Sequence, residues 1–195
     1  MKRLPLSLLA HWAGGELQGE DIVVDTMTMT CDRWQQVNFS TEYYHAGQRV
    51  LVKRNSPVKG MADLGGKKVC AAEGSTSIKN IAANLAKTNP PPVPVSVRDW
   101  TDCMVMLQQG QVDAMSTDDT ILSGMQLQDP NDTQLVGAPF TDEPYGIAMS
   151  KNHPDLVRFV NGVLQKMRDD GTLHGIYVKW LQGNAPPTPP TAKYQ

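Results

Sequence analysis

Long hydrophobic runs are missing from this sequence. No stretch approaches the ~18 consecutive apolar residues that carry a helix across a bilayer, so no segment reads as a membrane-spanning helix. An excess of one charge is missing as well: 18 Lys and Arg stand against 20 Asp and Glu, for a net charge of −2. The basic residues are scattered singly and form no stripe for a phosphate backbone, so nucleic acid is not an expected partner. Cysteine and histidine are sparse. Cys31, Cys70 and Cys103 lack metal-ligand spacing, and His11, His45, His153 and His174 are isolated, which argues against a zinc site. No G-x-S-x-G elbow occurs and no Ser-His-Asp or Cys-His arrangement is suggested, so nucleophilic catalysis has no visible machinery. The turn "EGSTS" invites comparison with a phosphate cradle. A Walker loop, however, needs Lys-Ser or Lys-Thr straight after its glycine, and here Lys67 and Lys68 stand at the head of the strand, before the turn. No cofactor is expected.

What is present suits a globular core. With 195 residues, 40% hydrophobic and 19% charged, the chain fits one ordinary domain or two small lobes. Its start, "MKRLPLSLLAHWAGG", has two basic residues and a short apolar run from Leu4 to Ala10, at the bare minimum of ~7 residues for a signal peptide and interrupted by Pro5. As an export signal it is weak.

Further on, strands and helices alternate. Thr26, Met27, Thr28, Met29 and Thr30 have the period of a half-buried strand, with methionines toward a core and hydroxyls away from it. Val50 to Val52 reads as a buried strand. Lys68 to Ala72, the Gly-Ser-Thr-Ser turn and a helix from about Ser77 to Lys87 make a β-turn-α unit. After the proline-rich "TNPPPVPVSV" and a strand at Val93 to Val97, a helix from Trp100 to Gln109 follows, with Asp99 as its cap and Gly110 as its stop. "QVDAMSTDD" leads from strand to turn to a helix near Thr120 to Gln128. Leu156, Phe159, Val160, Val163, Leu164 and Met167 repeat at helical spacing over Pro154 to Asp170, and Thr172 can cap a last short helix. The end, "GNAPPTPPTAKYQ", reads as a disordered tail. This alternation argues for an α/β fold with a parallel or mixed sheet. "LQGEDIVVDT" and "LQQGQVDAMST" echo one another, as two similar half-folds would.

Open α/β sheets bind ligands beyond the carboxyl ends of their strands. Turns at Thr26 to Arg33, Ala72 to Ser77, Thr117 to Asp119 and near Tyr145 are therefore the candidates. Arg33 offers a rigid fork of donors suited to a carboxylate, although a lone arginine after a strand is more often a surface residue. The Gly74–Ser77 turn offers N–H groups at a helix start, which favours an anion. Asp118 supplies the opposite sign. Of the two adjacent acids, one can cap the following helix while the other meets an ammonium group. Carboxylate-binding and ammonium-binding groups together describe a free α-amino acid. Met27, Met29, Met104, Met106 and Met115 are most simply core filling.

These residues carry a resemblance. "LQGEDIVVDTMTMTCDRWQQVNFSTEYYHAGQRVLVKR", "DLGGKKVCAAEGSTS", "LQQGQVDAMSTDD", "EPYGIAMSK" and "DDGTLHGIYVKWL" are together similar to family 3 extracellular solute-binding proteins of polar amino-acid ABC transporters. The match is collinear from about Leu17 to Leu181, and "TMTMTCDRW" with "STDD" is most like the actinobacterial glutamate/glutamine-binding branch. The resemblance implies a type II periplasmic-binding fold: two α/β lobes joined by two hinge strands near Tyr43 to Gln48 and Thr141 to Tyr145. Residues 1–45 would be part of lobe 1, 46–142 lobe 2, 143–182 the return to lobe 1, and 183–195 the tail. By motif position Thr26 and Thr28 would hold the amino and carboxylate groups, Arg33 would clamp the carboxylate, Thr76 would add an N–H and Asp118 would take the ammonium. Ser75 and Thr117 would line the wall. If the protein is exported, Cys70 and Cys103 should form a disulfide, because the helix carrying Cys103 packs on the strand carrying Cys70; two buried free thiols are the alternative.

Nothing before Leu17 matches the family, and Met1 to Glu16 has no counterpart in it. The first lobe is therefore expected to be incomplete, with a weaker pocket and a sheet edge open to self-association. The expected protein is a non-enzymatic extracellular or periplasmic receptor. It would capture glutamate, glutamine, aspartate or asparagine and deliver it to a transporter permease. The alternatives are a sensor feeding a membrane signalling partner and, less favoured, a dehydratase using Glu73 as its acid.

Overall fold

The computed structural model describes residues 22–84 and 88–181. The readings made above for residues 1–21, for 85–87 at the end of a helix and for the tail fall outside them. In chain order the elements are β1 (Ile22–Val23), α1 (Cys31–Trp34), β2 (Asn38–Phe39), β3 (Tyr44–Ala46), β4 (Gln48–Lys53), a 3-10 turn (Met61–Leu64), β5 (Lys68–Ala72) and α2 (Thr76–Asn84). Then follow β6 (Val93–Val97), α3 (Trp100–Gln109), β7 (Ala114–Asp118), α4 (Asp119–Gln128), β8 (Thr133–Val136), β9 (Glu143–Tyr145), β10 (Ala148–Met149), α5 (Pro154–Asp169) and α6 (Thr172–Trp180). Two compact units share these elements. Described residues up to His45 and from Glu143 onward form the first, and those from Ala46 to Asp142 the second. The chain passes from one to the other beside β3 and β9, which pair as a two-stranded sheet.

The second unit is a three-layer sandwich built on strand alternation. Its sheet runs β6-β5-β7-β4-β8, with β5 parallel to β6 and β7, and β4 antiparallel to β7 and β8. Successive side chains point to opposite faces. Val50, Val52, Val69, Ala71 and Ala114 therefore pack on one side with Leu64 and with Ile81 of α2. Leu51, Cys70 and Met115 pack on the other with Cys103 and Leu107 of α3 and Leu122 of α4. Burying a leucine such as Leu107 contributes about 1.5–3 kcal/mol. Gly110 ends α3 in the left-handed region at φ 73°, where a Cβ would be strained, and its N–H donates to the Leu107 carbonyl. Asp99 holds the N-cap position of α3, but its side chain makes no capping bond, so the expected cap is one of backbone geometry only.

In the first unit β10 lies between β1 and β2, antiparallel to both. Val23, Met27, Val37, Phe39 and Ala148 form its core, with Trp34 edge-on to Phe39 at 5.2 Å. The alternating strand expected over Thr26 to Thr30 is not formed. β1 stops at Val23, Thr28 makes only an isolated bridge to Tyr145, and Thr28 is buried together with Met27. Side-chain acceptors compete with the ladder here: Asp25 Oδ1 takes the Thr26 N–H at 2.7 Å, and Thr30 Oγ1 takes the Arg33 N–H at the start of α1. Helix α5 forms over the expected span, yet Phe159 and Val163 on its apolar stripe are exposed and Leu164 is buried. Gly171, at φ 77°, holds the N-cap position of α6, so Thr172 is the helix's first residue and not its cap.

These two helices grip the segment before β3. Asn161 Oδ1 accepts the Thr41 N–H at 2.7 Å, Arg168 Nη2 donates to the Glu42 carbonyl at 2.5 Å, and the Tyr177 hydroxyl donates to the Tyr43 carbonyl.

Cys70 of β5 and Cys103 of α3 are joined by a disulfide, with Cα atoms 5.6 Å apart, while Cys31 is a free, exposed thiol. The cross-link closes a loop of 33 residues. Replacing both cysteines by alanine is therefore expected to lower stability by about 2–4 kcal/mol. A fall in the urea midpoint would show it, with a steeper slope because the unfolded chain without the cross-link exposes more surface, and an unmoved midpoint would mean that packing alone holds α3 on the sheet.

Candidate functional site

In the first unit, the candidate residues lie on the stretch between β1 and α1. Its path is set by backbone bonds: Met29 N–H to the Pro144 carbonyl at 2.8 Å, and Gly146 N–H to the Met27 carbonyl at 3.1 Å. Thr30 caps α1, which brings Arg33 round so that its Nη1 donates to the Thr28 carbonyl at 2.7 Å. Arg33 and Thr28 are thus brought together, and the guanidinium is half-buried and held in direction rather than trailing into solvent.

Thr26 sits beside Asp25, whose Oδ1 accepts both its N–H and, at 3.3 Å, its hydroxyl. The Asp25 carbonyl accepts the Tyr43 hydroxyl at 2.5 Å, and among the described residues its buried Oδ2 has no hydrogen-bond partner. Burial raises the Asp25 pKa, against the bonds from Thr26 and the charge of Arg33. Burial, and then the Asp25 charge, raise that of the Tyr43 hydroxyl.

In the second unit, β5 runs into a turn in which Gly74 adopts φ 72°. Ser75 is buried and fully used in the turn: its hydroxyl donates to the Ala72 carbonyl at 2.7 Å and accepts the Ile78 N–H at 3.2 Å. The N–H groups of Thr76 and Ser77, the first two of α2, have no acceptor among the described residues. They point from a helix start, where the dipole adds to their pull on an anion. The Ser77 hydroxyl donates to Thr117 Oγ1 at 3.1 Å, so the start of α2 is bonded to the end of β7. There Thr117 is 1% and Asp118 3% exposed. Asp118 precedes α4 but makes no side-chain capping bond, whereas Asp119 Oδ1 accepts the Thr120 N–H at 2.8 Å. Burial raises the Asp119 pKa, and bonds from Thr120 and Gly47 oppose the shift.

The residue that sequence reasoning missed is Gln48. It is completely buried and bonded to Ser77, Asn80 and Ser116. Its only signal in the sequence is an amide at the head of the apolar run "QRVLV". Among the described residues no group of three or more His, Cys, Asp or Glu side chains is placed to hold a metal.

The family model of bacterial extracellular solute-binding proteins, family 3, matches residues 16–183. The chain belongs to that family. Among its curated relatives, the ABC transporter glutamine-binding protein GlnH of Bacillus subtilis is 42% identical over 163 residues, which is 83% of this chain and 58% of the relative. The glutamate-binding protein GluB of Corynebacterium glutamicum is 33% identical over 169 residues, covering 83% and 56%. The chain thus spans about half the length of the curated relatives it matches. Among solved structures, an ancestral arginine-binding protein bound to arginine shares 34% identity at a TM-score of 0.77, covering 92% of this chain and 77% of that one. The family 3 fold is that of type II periplasmic amino-acid-binding proteins, as the sequence resemblance implied.

Burial of the Asp25 carboxyl predicts a pH dependence of stability for this family 3 chain. An acid whose folded pKa is raised stabilises the fold fully below its unfolded value of about 3.9 and loses that contribution as pH rises through the folded value. Asp25→Asn should therefore show a smaller fall in stability than the unaltered chain as pH rises above about 4. Urea midpoints across that range would check it, since Asp119 contributes equally to both proteins and parallel curves would mean that Asp25 does not titrate differently on folding.

Proposed function

We propose that this protein is a non-enzymatic receptor for a free polar α-amino acid, working outside the cytoplasm with an ABC transporter. One observation carries the reading. In the second unit, anion-seeking N–H groups at Thr76 and Ser77 and the buried Asp118 carboxylate belong to two elements bonded through Ser77 and Thr117. A ligand that meets both needs a carboxylate and an ammonium close together, which is the common part of every α-amino acid. In the first unit Arg33, aimed by its bond to the Thr28 carbonyl, supports the same carboxylate chemistry, and Thr26 and Thr28 are proposed to bond the amino acid's polar groups. Ser75 and Thr117 shape the turn and the strand end rather than carrying charge to the ligand.

The relatives' names support an amide or acidic side chain: GlnH is a glutamine-binding protein and GluB a glutamate-binding protein. Export is supported by the Cys70–Cys103 disulfide, since such bonds persist in oxidising compartments.

Calorimetric titration with glutamine, glutamate, aspartate and asparagine tests the reading, and absence of heat with all four would overturn it. Asp118→Asn should weaken binding of the free amino acid by about 1.5–3 kcal/mol, the scale of a hydrogen bond to a charged group. It should weaken the N-acetyl analogue less, because acetylation already removes the charge that Asp118 meets. Arg33→Lys keeps the charge but loses the planar fork, and a loss of about the same size is expected with unchanged circular dichroism. Full affinity in that variant would assign Arg33 to a purely structural bond.

A further inference from the structure

The opening residue of β4 stands out in the second unit. Gln48 is fully buried, yet it carries an amide where an apolar side chain would fill the same space without a desolvation cost. Every polar group on it is engaged. Its Nε2 donates to the Ser77 carbonyl at 3.2 Å and to Ser116 Oγ at 2.9 Å, and its Oε1 accepts from Asn80 Nδ2 at 3.0 Å. Its own N–H donates to Thr141 Oγ1 at 3.0 Å, and its carbonyl accepts the Phe140 N–H at 3.0 Å. Ser116 passes the connection on by donating to the Arg49 carbonyl at 2.7 Å.

The amide therefore joins three elements. Ser77 and Asn80 lie on the first turns of α2, Ser116 lies on β7 two residues before Asp118, and Gln48 itself faces Asp118 in the register of the antiparallel pair. Hydrophobic contact sets how closely α2 lies on the sheet but is non-directional, so it leaves rotation and sliding of the helix weakly determined. Hydrogen bonds with fixed donor and acceptor directions remove that freedom.

We propose that Gln48 is the positioning residue of the anion-binding turn, fixing the Thr76 and Ser77 N–H groups relative to the β7 end through its bonds to Ser77 and Ser116. The inference rests on the amino-acid-receptor reading and deepens it. Gln48 touches no ligand in this scheme. Its effect passes through the helix start, so it bears on the ligand's carboxylate and not on its side chain.

The test is Gln48→Met, which keeps volume and removes the amide, with Asn80→Ala as a milder variant that removes the donor to Gln48 Oε1. Calorimetry would compare L-glutamine or L-glutamate with its α-carboxamide, which lacks the carboxylate charge. Expected for Gln48→Met is a loss of about 5- to 30-fold for the free acid, the scale of one or two hydrogen bonds, with a much smaller loss for the carboxamide. Hydrogen exchange, read without ligand on the full chain, should quicken in the first turns of α2 and leave α3, on the opposite face of the sheet, unchanged.

Equal losses for acid and carboxamide, or unaltered exchange in α2, would overturn the proposal by making Gln48 an ordinary core residue. If Gln48→Met does not fold, the same two readouts on Asn80→Ala decide in the same way, at smaller amplitude. If the unaltered chain binds no amino acid, the receptor reading fails by itself and the exchange comparison still decides whether Gln48 orients α2.

Discussion

The register of β4 against β7 is the constraint on which the second unit depends. Leu51 stands opposite Met115 and Val50 opposite Ser116, so the two faces of the sheet receive complementary sets of side chains. A slip by one residue would send each set to the wrong layer: Leu51 would face Ile81 and Leu64, and the pair Val50 and Val52 would face Leu107. The same register puts the polar ends of both strands at one edge of the core, where Gln48, Ser116 and Thr117 find partners. Packing and polar organisation are thus fixed together, and the turn chemistry at Gly74 to Ser77 is built on a frame that has one low-energy alignment.

How far the sequence discloses this structure depends on where the controlling interactions lie. β5, β6 and α3 have the bounds read from the sequence, because their signals are local: apolar runs with β-branched residues, a Gly at the end of a helix, a Pro-rich approach to a strand. The stretch from Asp25 to Trp34 misleads for an equally physical reason. Its Thr-Met alternation has strand period, but Asp25 and Thr30 take backbone N–H groups for themselves and turn the chain into α1. On α5 the spacing identifies the apolar face, while the exposure of Phe159 depends on what packs there. Gln48 was invisible because its partners Ser77, Asn80 and Ser116 lie 29, 32 and 68 residues away. Of the candidate residues, Arg33, Thr76 and Asp118 could be selected from residue type and turn position. That Ser75 is consumed by its own helix cap could not.

The relatives differ in the amino acid their names carry, glutamine, glutamate and arginine among them. That variety agrees with the proposed reading, in which a guanidinium of the first unit, and a helix start and a carboxylate of the second, answer to the backbone part of an amino acid, which is the same in all three. Discrimination among side chains is a separate matter of pocket shape and of donors and acceptors farther from the charged groups. One framework of this kind can serve many receptors while a few wall residues change.

The two units also differ in how they draw on the chain. The second is one uninterrupted segment, whereas the first is split and joins residues near the start to residues near the end. The Tyr177 hydroxyl reaches the Tyr43 carbonyl across 134 residues, and Arg168 reaches Glu42 across 126. During synthesis the second unit has all its partners as soon as Asp142 has emerged. The first cannot complete its sheet until β10 is made, nor secure the stretch before β3 until α6 is finished. Assembly is therefore vectorial by construction: the middle of the polypeptide can settle early, and the beginning must wait for the end.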